Sequence, residues 1–172
     1  MDKWNERNLL WIGEAMPIII KEPMLSNLEV KIKMAANLVT PDLFLEFSNQ
    51  LTPEQDKLIP RYSTVPLLEV VHLILRTLVK SHIEVATYRS RWPWSKARAY
   101  TMGKNININT RHEHSVKNLI KTYVHELSHI ASKQSNESFD HGSNSNQHKK
   151  LDTAPILIAN MYCDFLVKTG RL

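Results

Sequence analysis

Between residues 116 and 130 the apolar positions are Val116, Leu119, Ile120, Tyr123, Val124, Leu127 and Ile130. Steps of three and four put them along one face of an α-helix, and Ser115 stands where an N-cap belongs. A second stripe of Leu67, Leu68, Val71, Leu75, Leu78 and Val79 predicts a helix over residues 65–80. The period then shortens: Ile83, Val85 and Thr87 alternate within residues 82–87, as a strand requires. Residues 97–102 and 105–109 flank Gly103-Lys104, which reads as a hairpin turn, and Ile106 with Ile108 gives the second strand a single apolar face. Upstream, Thr40-Pro41-Asp42 and Thr52-Pro53-Glu54-Gln55 read as helix starts with proline at the first helical position. Thr52 and Gln55 are spaced for a capping box.

These elements predict a mostly helical α+β chain. Residues 1–80 are expected to be short helices packed on one another. Residues 81–172 are expected to hold the hairpin, the long helix, a polar loop and a C-terminal helix. With 172 residues and 42% apolar content there is enough for one sizeable core, so a single domain spanning 1–172 is expected. Four glycines and no low-complexity tract argue against long flexible linkers. The single cysteine, Cys163, excludes an intrachain disulfide. The charged start Met1-Asp2-Lys3-Trp4-Asn5-Glu6-Arg7 does not read as a secretory signal. Residues 65–79 are too short and too polar for a membrane span, with Glu69, His72 and Arg76 inside them. The expected location is cytoplasmic, or outside the cell by export without a cleavable signal.

Chemistry enters at His125-Glu126-Leu127-Ser128-His129, which lies inside the first stripe. Residues four apart share a helix face, so both imidazoles can aim a nitrogen at one Zn2+ about 2.0–2.1 Å away. Glu126, beside the first ligand, is placed to take a proton from a water that the metal has acidified. The bland alternative is a half-buried helix with two surface histidines and a solvated glutamate, but the motif falls in the helical context that its chemistry needs. His72 has no companion at ligand spacing and is read as a packing residue. His112 and His114 are read as part of a polar loop ahead of the helix.

A catalytic zinc usually has three protein ligands and keeps one position open. The metzincin extension is absent, because Ser132 and Ser135 stand where it needs glycine and histidine. A thermolysin-like glutamate is absent too, since no Glu follows Glu137. The third donor then comes from Asp140, His141 or His148, reached through the polar stretch 132–138, which can turn the chain back over the helix.

Together with Ser138 and Asp140, and with Ala159, Tyr162 and Phe165 in the following helix, the motif resembles the aspzincins, the deuterolysin and peptidyl-Lys metalloendopeptidase family. The resemblance covers roughly residues 100–166. It implies a zincin-like fold with a small β-hairpin or sheet beside the motif helix. It also implies His125, His129 and Asp140 as zinc ligands, Glu126 as general base, and metalloendopeptidase activity on protein or peptide substrates; a toxin or effector role is compatible with a small peptidase without a signal. Glu137, Ser143 and Asn144 stand where the family has Gly, Tyr and Gly. That leaves Tyr162, His141 and His148 as candidates to stabilise an oxyanion. The His141-Gly142 pair also resembles the SprT-like proteases acting at DNA, in which case His141 is the third ligand. A non-catalytic binding protein that keeps the zincin fold is the other alternative.

The charge balance, +5 with a pI near 9.3, invites a nucleic-acid reading. Residues 89–98 interleave Arg89, Arg91, Lys96 and Arg98 with Trp92 and Trp94, as single-strand binders do. The simpler expectation is a solvated loop whose tryptophans cover the core, with the basic surface favouring acidic partners through steering. Finally, the alternating Asn and Ile of residues 105–109 suggest that the hairpin's edge holds an extended peptide by backbone pairing.

Overall fold

The computed structural model describes residues 18–20, 27–141 and 150–172. It has six helices among these residues: α1 (Asn27–Asn37), α2 (Pro41–Asn49), α3 (Pro53–Lys57), α4 (Leu67–Lys80), α5 (Val116–Ser135) and α6 (Ala154–Lys168). Four strands, β1 (Ile18–Ile20), β2 (Ile83–Tyr88), β3 (Ala99–Met102) and β4 (Asn105–Asn109), form one sheet in the order β1-β2-β4-β3. The architecture is thus mostly helical α+β.

The local signals act as physical chemistry requires. Thr40 caps α2 by accepting from the Leu43 amide, and Pro41 follows it at the first helical position. Thr52 and Gln55 make the reciprocal capping box at α3. Ser115 accepts from Asn118 to start α5. Helix α4 begins at Leu67, since Pro66 occupies the cap position and Val65 precedes it. At the hairpin, Gly103 takes φ +64°, a conformation that side chains with a Cβ rarely adopt.

The sheet departs from expectation in two ways. A strand, β1, lies within the first eighty residues, built from three consecutive β-branched isoleucines and paired in parallel with β2. The Asn-Ile strand β4 is not an edge. It pairs in parallel with β2 (Val85 opposite Ile106) and antiparallel with β3 (Thr101 opposite Ile106). Its amides and carbonyls are committed on both sides, so it offers no free backbone to a peptide. Among the described residues the sheet's two edges are β1 and β3, and of the hairpin's strands the edge is β3.

Ile83, Val85, Ile106 and Ile108 on one sheet face join Leu119, Ile120, Tyr123, Val124 and Leu127 of α5, and Leu67, Val71, Ile74 and Leu78 of α4, in one buried cluster. Helix α5 lies at the centre, packing on α1, α4, α6 and β3. A helix buried along so much of its length has little freedom to tilt, which fixes where its polar face points. The tryptophans of residues 89–98 do not cover this core: Trp92 and Trp94 are 59% and 74% exposed, with ring centroids 5.3 Å apart.

Candidate metal centre

His125 and His129 leave the same face of α5, one turn apart. Helix α5 ends at Ser135, and Asn136 takes the left-handed conformation (φ 58°) that turns the chain back. The returning segment is pinned at several points. Ser132 Oγ donates to the Glu137 carbonyl, Thr64 N donates to the Ser138 carbonyl at 2.8 Å, and the Phe139 side chain is fully buried. This anchoring delivers His141, only 1% exposed, to the two histidines of the helix.

The three imidazoles converge, with one nitrogen from each of His125, His129 and His141 lying within 4.8 Å of the others. His125 Nε2 and His141 Nε2 are 2.9 Å apart. Nitrogens around a tetrahedral zinc would sit about 3.3 Å apart, given bonds of about 2.0–2.1 Å, so a small outward shift accommodates the ion.

The far side of two rings is held by protein. Thr153 Oγ1 donates to the Lys150 carbonyl at 3.0 Å and lies 3.3 Å from His141 Nδ1. With its proton committed, the hydroxyl accepts from an Nδ1–H, which leaves the Nε2 lone pair of His141 facing its neighbours. His129 Nδ1 lies 2.6 Å from Asp140 Oδ1, which also accepts from the His141 amide at 2.9 Å. The hydrogen bond from His129 is the main reason the Asp140 carboxyl falls to about 2. An imidazole that donates one N–H to a carboxylate and offers its other nitrogen to a cation is the usual form of a metal-bound histidine. The donor set therefore fits zinc, a metal suited to imidazole ligands.

Asp140, the expected third ligand, falls outside the three-nitrogen cluster and stands behind His129 instead. The chain bends at Asp140 and His141: after the buried Phe139, Asp140 Oδ1 accepts from the His141 amide and meets His129 Nδ1, while the His141 ring turns inward against Thr153. Thr153 is a residue that sequence reasoning missed. It occupies the N-cap position on α6, yet makes no side-chain cap bond; its hydroxyl meets His141 Nδ1 instead.

Glu126 is 8% exposed. Burial raises its pKa, with Asp140 adding to the rise and His129 and Lys133 opposing it. Beside it opens a cleft of about 430 Å³ between α5, α6 and the segment that leads into β3, lined by His125, Glu126, Lys121, Lys96, Arg98 and Asn160 among others.

The other candidates are placed elsewhere. Tyr162 is fully buried, and its hydroxyl donates to the Leu38 carbonyl at 2.8 Å, so it is not available to an oxyanion. We expect Tyr162→Phe to leave any turnover unchanged while lowering stability by about 1 kcal/mol, the worth of one buried hydrogen bond; urea unfolding and a rate assay on the same preparation check both halves. His72 is half-buried with its pKa lowered, mainly by burial. His112 and His114 lie in the loop ahead of α5 and bond the carbonyls of Ser95 and Asn109, and His114 is buried. His148, Ser143 and Asn144 lie outside the described residues. No helix among the described residues is long and apolar enough to cross a membrane.

Comparison of the chain with protein-family models, with curated proteins and with solved structures found no match.

Proposed function

We propose that the protein is a zinc metallopeptidase that hydrolyses peptide bonds within a chain, with His125, His129 and His141 holding the metal and Glu126 as general base. The observation that carries this reading is the convergence of three imidazoles beside a buried glutamate at an open cleft. Among the described residues no fourth donor joins the group. Three protein ligands leave a position for chemistry, whereas structural zinc sites usually close with four.

When bound, zinc would supply Lewis acidity that polarises a peptide carbonyl and makes water a better nucleophile at neutral pH. The chain's own residues do the rest. Glu126, with its pKa raised above the ordinary carboxylate range, accepts the proton that the attacking water gives up and passes it to the leaving amine. Asp140 and Thr153 hold His129 and His141 in the tautomer that faces the metal. The free edge of β3, the strand that packs on α5, offers unpaired backbone groups to an extended substrate. The inward position of His141 supports the SprT-like resemblance of its His-Gly pair over the aspzincin one.

The test is elemental analysis of the purified protein together with digestion of a peptide library. About one zinc per chain is expected, with cleavage that stops on chelation and returns with added zinc. Zinc-loaded protein that cleaves no peptide or protein would sink the reading.

A further inference from the structure

We propose that the cleft selects a carboxylate on its substrate, received by Lys96, Arg98 and Lys121 within two residues of the scissile bond. This rests on the peptidase reading and adds the substrate class. The three cations lie inside the same cavity as His125 and Glu126, and among the described residues Glu126 is the one acid in its lining. From 85 to 112 the chain has no Asp or Glu. Among the described residues none of the three is in a salt bridge, unlike Lys33, Arg61 and Arg171. Arg98 is held in place by donating from Nη1 to the Glu113 carbonyl at 3.2 Å.

Position sets the reach. Lys121 lies one turn before His125, about 6 Å along the helix axis, and an extended peptide advances about 3.3 Å per residue. A carboxylate one or two residues from the bond under attack therefore falls to Lys121 on one wall and to Lys96 and Arg98 on the other. The α6 wall contributes Ile156, Ala159 and Asn160, which are uncharged. With three cations against one acid among the described lining residues, the cavity attracts an anion and repels a lysine or arginine side chain. A polynucleotide is less well served: the exposed rings of Trp92 and Trp94 are not part of the lining of this cavity.

The carboxylate can belong to an Asp or Glu side chain or to a free C-terminus. Zinc-loaded protein is given quenched fluorescent peptides blocked at both ends, with Glu, Gln or Lys at each of the two positions on either side of the cleavage site. A matched pair ends in a free acid or an amide. Glu peptides are expected to be turned over about ten- to a hundredfold faster than Gln peptides, as charge-assisted bonds imply. Lysine peptides should be slower still. The preference should vanish in Lys96→Glu/Lys121→Glu, which keeps its zinc. A preference confined to the free acid over the amide assigns the carboxylate to the C-terminus.

Equal turnover of Glu and Gln peptides, with no acid-over-amide preference, overturns the proposal and leaves the peptidase reading intact. If no peptide is cleaved, the peptidase reading falls, and fluorescence anisotropy on zinc-loaded Glu126→Gln decides the subsite. Tighter binding of the Glu or free-acid peptide, lost in the double charge reversal, upholds it; equal binding of all peptides overturns it. A single-stranded oligonucleotide that binds through the same lysines while peptides show no carboxylate preference moves the surface to nucleic acid, and also overturns it.

Discussion

Glu126→Gln is expected to keep one zinc per chain and the parental unfolding midpoint, while peptide turnover falls by about 10²–10⁴-fold, the contribution of a positioned general base. The substitution preserves shape and volume. Among the described residues no hydrogen bond ends on the Glu126 carboxylate, so the amide orphans no partner. What disappears is a buried carboxylate whose raised pKa makes it a stronger base than an exposed one. In the proposed site the metal depends on the three imidazoles and should not respond. Elemental analysis, unfolding and cleavage rate on one preparation separate these effects, and a variant that cleaves as fast as the parent would show that Glu126 is not the base.

The second large effect concerns the third ligand. His141→Ala should lose zinc at stoichiometric metal, because it removes one of three donors and opens a fully enclosed position. Asp140→Ala should retain zinc with affinity weakened about 10–100-fold, the usual effect of deleting a carboxylate that orients a ligand histidine. Competition with a chromophoric chelator measures both. Zinc lost only with Asp140→Ala would reverse the assignment and restore Asp140 to the coordination shell.

This contrast marks how far the sequence could be read. The helices were legible because their signals are local: Thr40, Thr52 with Gln55, and Ser115 act within one turn, and the stripe from Leu119 to Ile130 faces the core as its period demands. The hairpin was legible from Gly103 for the same reason. His125, Glu126 and His129 come from one helix, and the fixed geometry of that helix brought them together. Strand order is not local. Nothing within Asn105–Asn109 says that β2 will take its other side and make it an interior strand. The choice between Asp140 and His141 turns on a single peptide unit, decided by Phe139 and by contacts with Thr64 and Thr153 far away in the chain. Thr153 itself was hidden because its contact with His141 spans twelve residues and follows no local spacing rule.

The interior place of β4 also determines the path of the chain around the site. After β2 the polypeptide must pass over the slot that β4 will fill and descend at the far edge as β3, a crossing of two strand spacings, or about 10 Å. Residues 89–98 make that crossing, and ten residues can extend to about 33 Å, so the connection has slack. Its far end carries Lys96 and Arg98 into the cleft wall, while the imidazoles come from α5 and from the segment that follows it. Two of the three cations proposed to receive a carboxylate, Lys96 and Arg98, thus lie on a connection apart from the three imidazoles, while the third, Lys121, shares α5 with His125 and His129. If the proposed peptidase reading holds, changing the length or charge of the middle of this connection, between the ends that Asn109 and Arg111 hold, would alter the targets of the site while leaving its three imidazoles in place.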